Sequence, residues 1–302
     1  MADGSSRGAA SGAVRLSVVL LGFCWGLMWI ATAIALRDVA PWTLRMIGTG
    51  LGAATLFIAA RTAGFDLAVP ARQRIHVAIG GFFNVGAFHI LMAFSQLHGA
   101  TSRTVMLAYT MPIWTAGLSV LLLHERLDRV RLIALALCAA GIGTLVWPLF
   151  ADGFSPFVLY AVTGAVSWAF GTVYMKWQRV TVPPLANAAW QLLSGFCFLL
   201  AGTLIFEGVP HLWPISTASA IAIIYTGLLG VGLAHFLWWS IVGRLSPLTA
   251  SIGALLAPVV GVTASIVILG ERPTGADIVG FVLIFTAAAC VLVPSGGIKR
   301  KA

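Results

Sequence analysis

The chain reads as an all-α integral membrane protein, with ten transmembrane helices arranged as two inverted five-helix repeats around a central cavity. Composition is the first reason. Apolar residues make up 60% of the 302 positions and charged residues 9%, and mean hydropathy is +0.99. Soluble domains carry about 25% charged residues, so the expected solvent is a bilayer. The second reason is an internal repeat at an offset of 146 residues. MPIWTAGLSVLLLHER around Pro112 returns as APVVGVTASIVILGER around Pro258. At that offset Gly81 falls on Gly227, Gly86 on Gly232 and His89 on His235, without a gap through Pro148 on Pro294. The third reason is the distribution of Lys and Arg, taken up below.

A spanning helix needs roughly 20 apolar residues, and helix is the default because an open sheet in lipid leaves backbone groups unpaired. The apolar runs predict spans over 14–36, 42–60, 75–97, 101–123, 131–148, 157–177, 185–206, 217–241, 247–269 and 277–294. Residues 1–13, rich in Gly, Ser and Ala, read as a disordered tail. The run that follows is too long for a signal-peptide core and is read as a retained span. The first repeat occupies 14–148, the second 157–294, and 295–302 form a basic tail. The longest connections, 61–74 and 207–216, leave no room for a soluble domain. Glycine at 33 positions suits close helix packing in lipid.

Ten spans put both termini on one side. That side collects fourteen of the 18 Lys and Arg, among them Arg61, Arg72, Arg74, Arg126, Arg129, Lys176, Arg179 and the C-terminal cluster. The other side holds Arg37, Arg45, Arg103 and Arg272. The excess predicts cytoplasmic termini. An odd number of spans per repeat inverts the second copy, so Glu125-Arg126 faces the cytoplasm and Glu271-Arg272 faces outside. Two inverted halves can exchange roles, which is the structural basis of alternating access around a midplane site. The net charge of +9 is scattered over loop edges, which argues against a nucleic-acid partner. The expected partners are the lipid bilayer and a small-molecule substrate, and one chain carrying both repeats makes a monomer sufficient.

The polar residues narrow the chemistry. The nine acidic residues sit in tails, loops or helix ends, which argues against ion coupling through a midplane carboxylate. There is no P-loop pattern, so energy is expected from gradients. Cys24, Cys138, Cys197 and Cys290 lie in apolar runs without metal-ligand spacing and read as packing residues. No catalytic constellation, cofactor or metal is expected. His89 shares a helical face with Phe82, Gly86, Ala93 and Gln96, a small-residue surface suited to a cavity wall. His235 is its repeat counterpart, with Trp239 on the same face. Trp25 and Trp168 open the two halves, and Trp168 has Gly164 and Gly171 on nearby turns, leaving room for a flat or apolar ligand. Trp190 and Trp238 also lie deep. Tyr109 precedes Pro112, which frees the carbonyl of Ala108. Asn84, Gln96 and Gln191 are further mid-membrane candidates that could equally bond across helices. Pro112 and Pro258 are the expected bending points. Glu125, Arg126, Glu271 and Arg272 sit at helix ends, where each Glu can cap the following helix or pair with a nearby Arg, as a structural latch or a gate.

The paired repeats, the Pro-x12-Glu-Arg spacing, Trp25-Gly26 against Trp168-Ala169, and GERPTGADIVGFVLI from Gly270 to Ile284 resemble the EamA-type transporters of the drug/metabolite transporter superfamily. The resemblance runs from about residue 17 to residue 294. The first copy departs from the pattern where His124 and Ala134 replace glycines, a change expected to touch packing more than function. The resemblance implies an exporter of small metabolites in a bacterial inner membrane, and it is nearest to amino-acid exporters, including those for aromatic amino acids. The alternatives are export of drugs or other metabolites, or a non-transporting membrane subunit or channel. An intramembrane enzyme is disfavoured by the missing catalytic acids and metal motif.

Overall fold

The computed structural model describes the backbone of residues 3–124, 129–147, 156–210, 212–242 and 247–292. Side chains are described for these except at 3–15, 131, 146, 239–242, 247–255, 288 and 291–292. The helices are α1 (Asp3–Ala35), α2 (Pro41–Thr62), α3 (Ala71–Gly81), α4 (Phe88–His98), α5 (Thr101–Ala108), α6 (Met111–Leu123), α7 (Arg129–Val146), α8 (Pro156–Trp177), α9 (Pro184–Gly202), α10 (Thr217–Tyr225), α11 (Ala234–Val242), α12 (Pro247–Leu269) and α13 (Gly275–Leu292). π-helical turns at Phe82–Ala87 and Thr226–Leu233 join α3 to α4 and α10 to α11, and a third at Thr203–Glu207 extends α9. Among the described residues there is no strand. Seven helical stretches are long and apolar enough to cross a membrane, and Leu132–Leu145, Leu256–Leu269 and Gly275–Ala287 are shorter apolar helices.

Local chemistry sets the boundaries. Proline opens α2 and α9, where its missing N–H leaves no bond unmade. α1 starts at Asp3, inside the stretch read from composition as a disordered tail; its several alanines favour helix. The basic tail and Pro148 lie outside the described residues. The helix around Pro112 is interrupted: α5 stops at Ala108 and α6 restarts at Met111. Thr110 occupies the break, its hydroxyl donating to the Leu107 carbonyl at 2.6 Å and accepting from Trp114 Nε1 at 3.0 Å. Pro258, by contrast, sits within the continuous α12.

Packing interleaves the two sequence repeats. α1 lies along α12, and α8, which opens the second repeat, lies along α5 and α6. α7 pairs with α13, and α2 packs against α9 and the Thr226–Leu233 turn. Glycines permit these approaches. A β-carbon on Gly22 or Gly26 would strike Leu256 or Val260 of α12, and one on Gly141 would meet Ile284 of α13. The outer surface is apolar: Leu121, Ile205 and Val267 are 69%, 72% and 75% exposed. Such a surface is stable when lipid tails are the solvent.

α6 and α12 finish alike, each followed by a residue of left-handed backbone, but that residue differs. His124 has φ 54°, while Gly270, 146 positions later, has φ 72°. A side chain at left-handed φ costs roughly 1–2 kcal/mol, and glycine removes that cost. His124→Gly is expected to raise the thermal unfolding midpoint in detergent, and Gly270→Ala to lower it.

Candidate functional site

A cavity of about 340 Å³ lies between the two repeats. Its aromatic wall is Trp25, Trp168 and Trp238; its polar wall is Asn84, Thr172, Asn187, Gln191 and His235; Val85, Met175 and Ala188 complete it. Thr172 and Met175 stand near the C-terminal end of α8, and Asn187 stands in the first turn of α9.

The two π-helical turns build much of this wall. Each inserts a residue into the helical ladder, a device common at functional sites. The first carries Asn84 and Val85, and its Phe83 carbonyl accepts from Ser167 Oγ at 2.8 Å. Asn84 Nδ2 donates to Gln191 Oε1 at 3.0 Å, and Gln191 Nε2 donates to Asn187 Oδ1 at 2.9 Å. This amide relay leaves Asn84 Oδ1 buried with no partner among the described residues. Gly171 makes the placement possible, since a β-carbon there would collide with Asn84. The second turn sits just before His235, whose Nδ1 lies 2.7 Å from the Val231 carbonyl. A carbonyl only accepts, so in neutral His235 the Nδ1 carries the proton and Nε2 keeps a free lone pair. Trp25 meets the His235 ring edge-on at 6.2 Å and lies 5.5 Å from Trp238. Trp168 is held by Phe88, 4.9 Å away.

Of the residues singled out from sequence, the fold brings Trp25, Asn84, Trp168, His235, Gln191 and Trp238 into this cavity. It keeps others away. His89 is 3% exposed and bonded through Nδ1 to Thr49 Oγ1 at 3.0 Å. Gln96 Nε2 donates to the Trp29 carbonyl at 2.8 Å, tying α4 to α1. Tyr109 packs on the Trp29, Phe88 and Met92 cluster. These three serve helix contacts, because a buried polar group in lipid takes the nearest partner. Trp190 faces outward and donates to the Leu67 carbonyl at 2.7 Å. The side chains of Trp239, Glu125 and Arg126 lie outside the described residues. Sequence reading missed Asn187, Thr172 and Met175, although Asn187 and Gln191 stand one helical turn apart.

At the other end of the bundle, carboxylates tie the repeats together. Glu271 does not cap the following helix. Its oxygens accept from the Thr101 and Ser102 amides, which open α5, at 2.6 and 3.0 Å. The start of α13 is served instead by Thr274 and Asp277, which bond each other reciprocally, in the manner of a capping box. Arg272 takes no part in these contacts; Asp277 pairs with Arg103, at 2.6 and 2.8 Å. Glu207 accepts from the Trp42 and Thr43 amides of α2 at 2.9 and 2.7 Å. Asp38 accepts from the Ser216 amide and hydroxyl at 2.9 and 2.5 Å. The contacts of Glu271, Glu207 and Asp38, and the Arg103–Asp277 pair, each join residues from different repeats. The Ser216 bonds hold the Asp38 carboxyl below its usual range.

The sequence model of the EamA-like transporter family matches residues 14–147 and again residues 155–293. The chain belongs to the EamA-like transporter family. It is a multi-pass membrane transporter. It is similar to the uncharacterized transporter YoaV of Bacillus subtilis, with 24% identity over 90% of this chain and 94% of that one. It is also similar to a probable amino-acid metabolite efflux pump of Salmonella typhimurium, with 25% identity over 90% of this chain and 91% of that one. A probable terminal-alkyne amino-acid exporter of Streptantibioticus cattleyicolor is 23% identical over 77% of each chain. A solved crystal structure superposes with a TM-score of 0.63 at 25% identity, covering 91% of this chain and 97% of that one.

Glu271→Ala removes both acceptors from the start of α5 and is expected to cost about 1–2 kcal/mol, read as a lower unfolding midpoint, with Glu271→Gln intermediate. The Asp38 contact has a fixed pH sign. Its folded pKa lies below the ordinary value of 3.8, so its contribution is present above that value and is lost as pH falls through the folded pKa. The stability difference between wild type and Asp38→Asn is therefore expected to be constant from about pH 8 to pH 5 and to vanish only below the ordinary carboxylate range, near pH 3.9.

Proposed function

We propose that the chain is a bacterial inner-membrane secondary transporter that exports amino acids, aromatic ones included, by alternating access. In this reading ten spans form two inverted five-helix halves, both termini are cytoplasmic, and the cavity is the substrate site open toward the cytoplasm. The observation that carries the substrate class is the cavity itself, with three indoles facing an uncharged amide relay. Indole faces stack on flat rings and attract ammonium groups. The names of the Salmonella and Streptantibioticus relatives point the same way.

The inverted repeat draws support from paired contacts. Gly52 packs on Val231 and the Gly232 amide, while Gly195 packs on Val85 and the Gly86 amide. The exchange of α1·α12 for α8·α5/α6 follows the same symmetry. The carboxylate contacts at the far end then act as the outer latch and part when that end opens. Pro112 and Pro258 are the bending points, with the break at Thr110 supplying freedom in the first half.

Labelled tryptophan, phenylalanine, threonine and a sugar control, offered to proteoliposomes holding wild type or Trp168→Ala, provide the test. Saturable amino-acid transport is expected, reduced about tenfold in Trp168→Ala, the loss of roughly one aromatic contact of about 1.4 kcal/mol. Absence of all amino-acid transport by folded wild type would turn the reading toward drugs or other metabolites.

A further inference from the structure

Outside the cavity, the buried polar side-chain atoms without partners among the described residues are Trp29 Nε1 and Thr32 Oγ1 on α1, Arg45 Nε on α2, Gln96 Oε1 on α4 and Thr226 Oγ1 at the second π-helical turn. Arg45 is 2% exposed, its Nε has no hydrogen-bond partner among the described residues, and no carboxylate there pairs with it. Charge counting on the sequence assigned it to a loop edge, yet it stands one turn inside α2. Burying a guanidinium without an anion is costly, and packing alone gives no reason to keep it.

The repeat explains the location. In the first two helices of each half the offset is 143, as Trp25 and Trp168, Pro41 and Pro184, and Gly52 and Gly195 show. Subtracting 143 from the cavity residues Thr172, Met175 and Ala188 gives Trp29, Thr32 and Arg45. At the third helix the offset is 146, and His235 maps onto His89. Trp29, Thr32 and Arg45 therefore occupy, in the sealed half, the positions that line the cavity in the open half. His89, the counterpart of the cavity residue His235, lies beside this region, bonded to Thr49 one helical turn beyond Arg45 on α2. Thr226 belongs to the same region, its methyl 3.3 Å from the β-carbon position of Gly48 on α2.

We infer that Arg45, with Thr32 and the Trp29 indole N–H, forms an anion-binding subsite for the substrate carboxylate, lining a second cavity that opens when the latch end parts. This rests on the inverted-repeat reading above. The two cavities then differ in kind. The first is uncharged and aromatic; the second holds a cation whose planar fork pairs with a carboxylate through two N–H donors. A zwitterion or a simple carboxylate fits it, and an amine without a carboxylate does not.

Ligand-induced thermal stabilisation of the purified full chain in detergent tests this without relying on transport. The probes are L-phenylalanine, L-phenylalaninamide and benzoate, on wild type, Arg45→Met and Arg45→Lys. Both carboxylates should stabilise wild type, phenylalanine more than its carboxamide, and the smaller carboxamide response supplied by the aromatic cavity should be unchanged in Arg45→Met. Arg45→Met should weaken apparent carboxylate affinity by at least about tenfold, and Arg45→Lys should recover part of it. Arg45→Met should itself unfold no lower than wild type, since it removes a buried unpaired charge. If no amino acid is transported but benzoate still stabilises wild type and not Arg45→Met, the subsite stands and the amino-acid reading falls. The inference is overturned if Arg45→Met keeps the carboxylate response, if the carboxamide works as well as the acid, if neither carboxylate stabilises wild type, or if Arg45→Met is markedly destabilised.

Discussion

Inside a bilayer no water relieves an unpaired backbone group, so backbone donors and acceptors freed where helices begin and break call for partners within the bundle. Much of the architecture follows from how the chain meets that demand where helices begin and break. The amide groups opening α2 and α5 are answered by Glu207 and Glu271, drawn from the other repeat. The gap before Pro112 is answered by Thr110. The first π-helical turn is answered by Ser167. Because several of these answers cross between repeats, local backbone needs and the joining of the halves are one problem.

The same logic separates the two histidines that duplication placed at matching positions. At the offset of 143, Thr49 corresponds to Leu192, which has no hydroxyl. His89 has Thr49 as a partner and is absorbed into packing. His235 has none there, turns to its own backbone, and keeps Nε2 for the cavity. One substitution on a neighbouring helix thus separates a histidine bonded within the helix packing from one that lines the cavity.

The membrane-spanning stretches were legible because apolar run length is a one-dimensional signal, and the family was legible because Pro112, Pro258 and the Glu-Arg pairs recur at fixed spacing. Trp25 and Trp168 were legible as paired aromatics with small neighbours. What composition could not reveal was partnership. Glu271 reaches a helix 170 residues away in sequence, and nothing local to GERPTG names it. For Gln96 the sequence left cavity wall and cross-helix bond equally open, because its acceptor is a backbone carbonyl on α1. Arg45 looked like a topology charge because its distance from the helix end is one turn. The π-helical turns leave no mark in hydrophobic periodicity over so short a stretch.

Those turns carry an evolutionary consequence. A π-helical turn is one residue out of phase with an ordinary helix, so losing that residue would swing every later side chain by about 100° about the axis, one residue's share of a 3.6-residue turn. Deleting a residue within Phe82–Ala87 would rotate His89 and all of α4 together relative to α3. Changes of ligand range in such a bundle can therefore arrive as single-residue insertions and deletions that exchange one helical face for another, a route unavailable to a cavity built on uninterrupted helices.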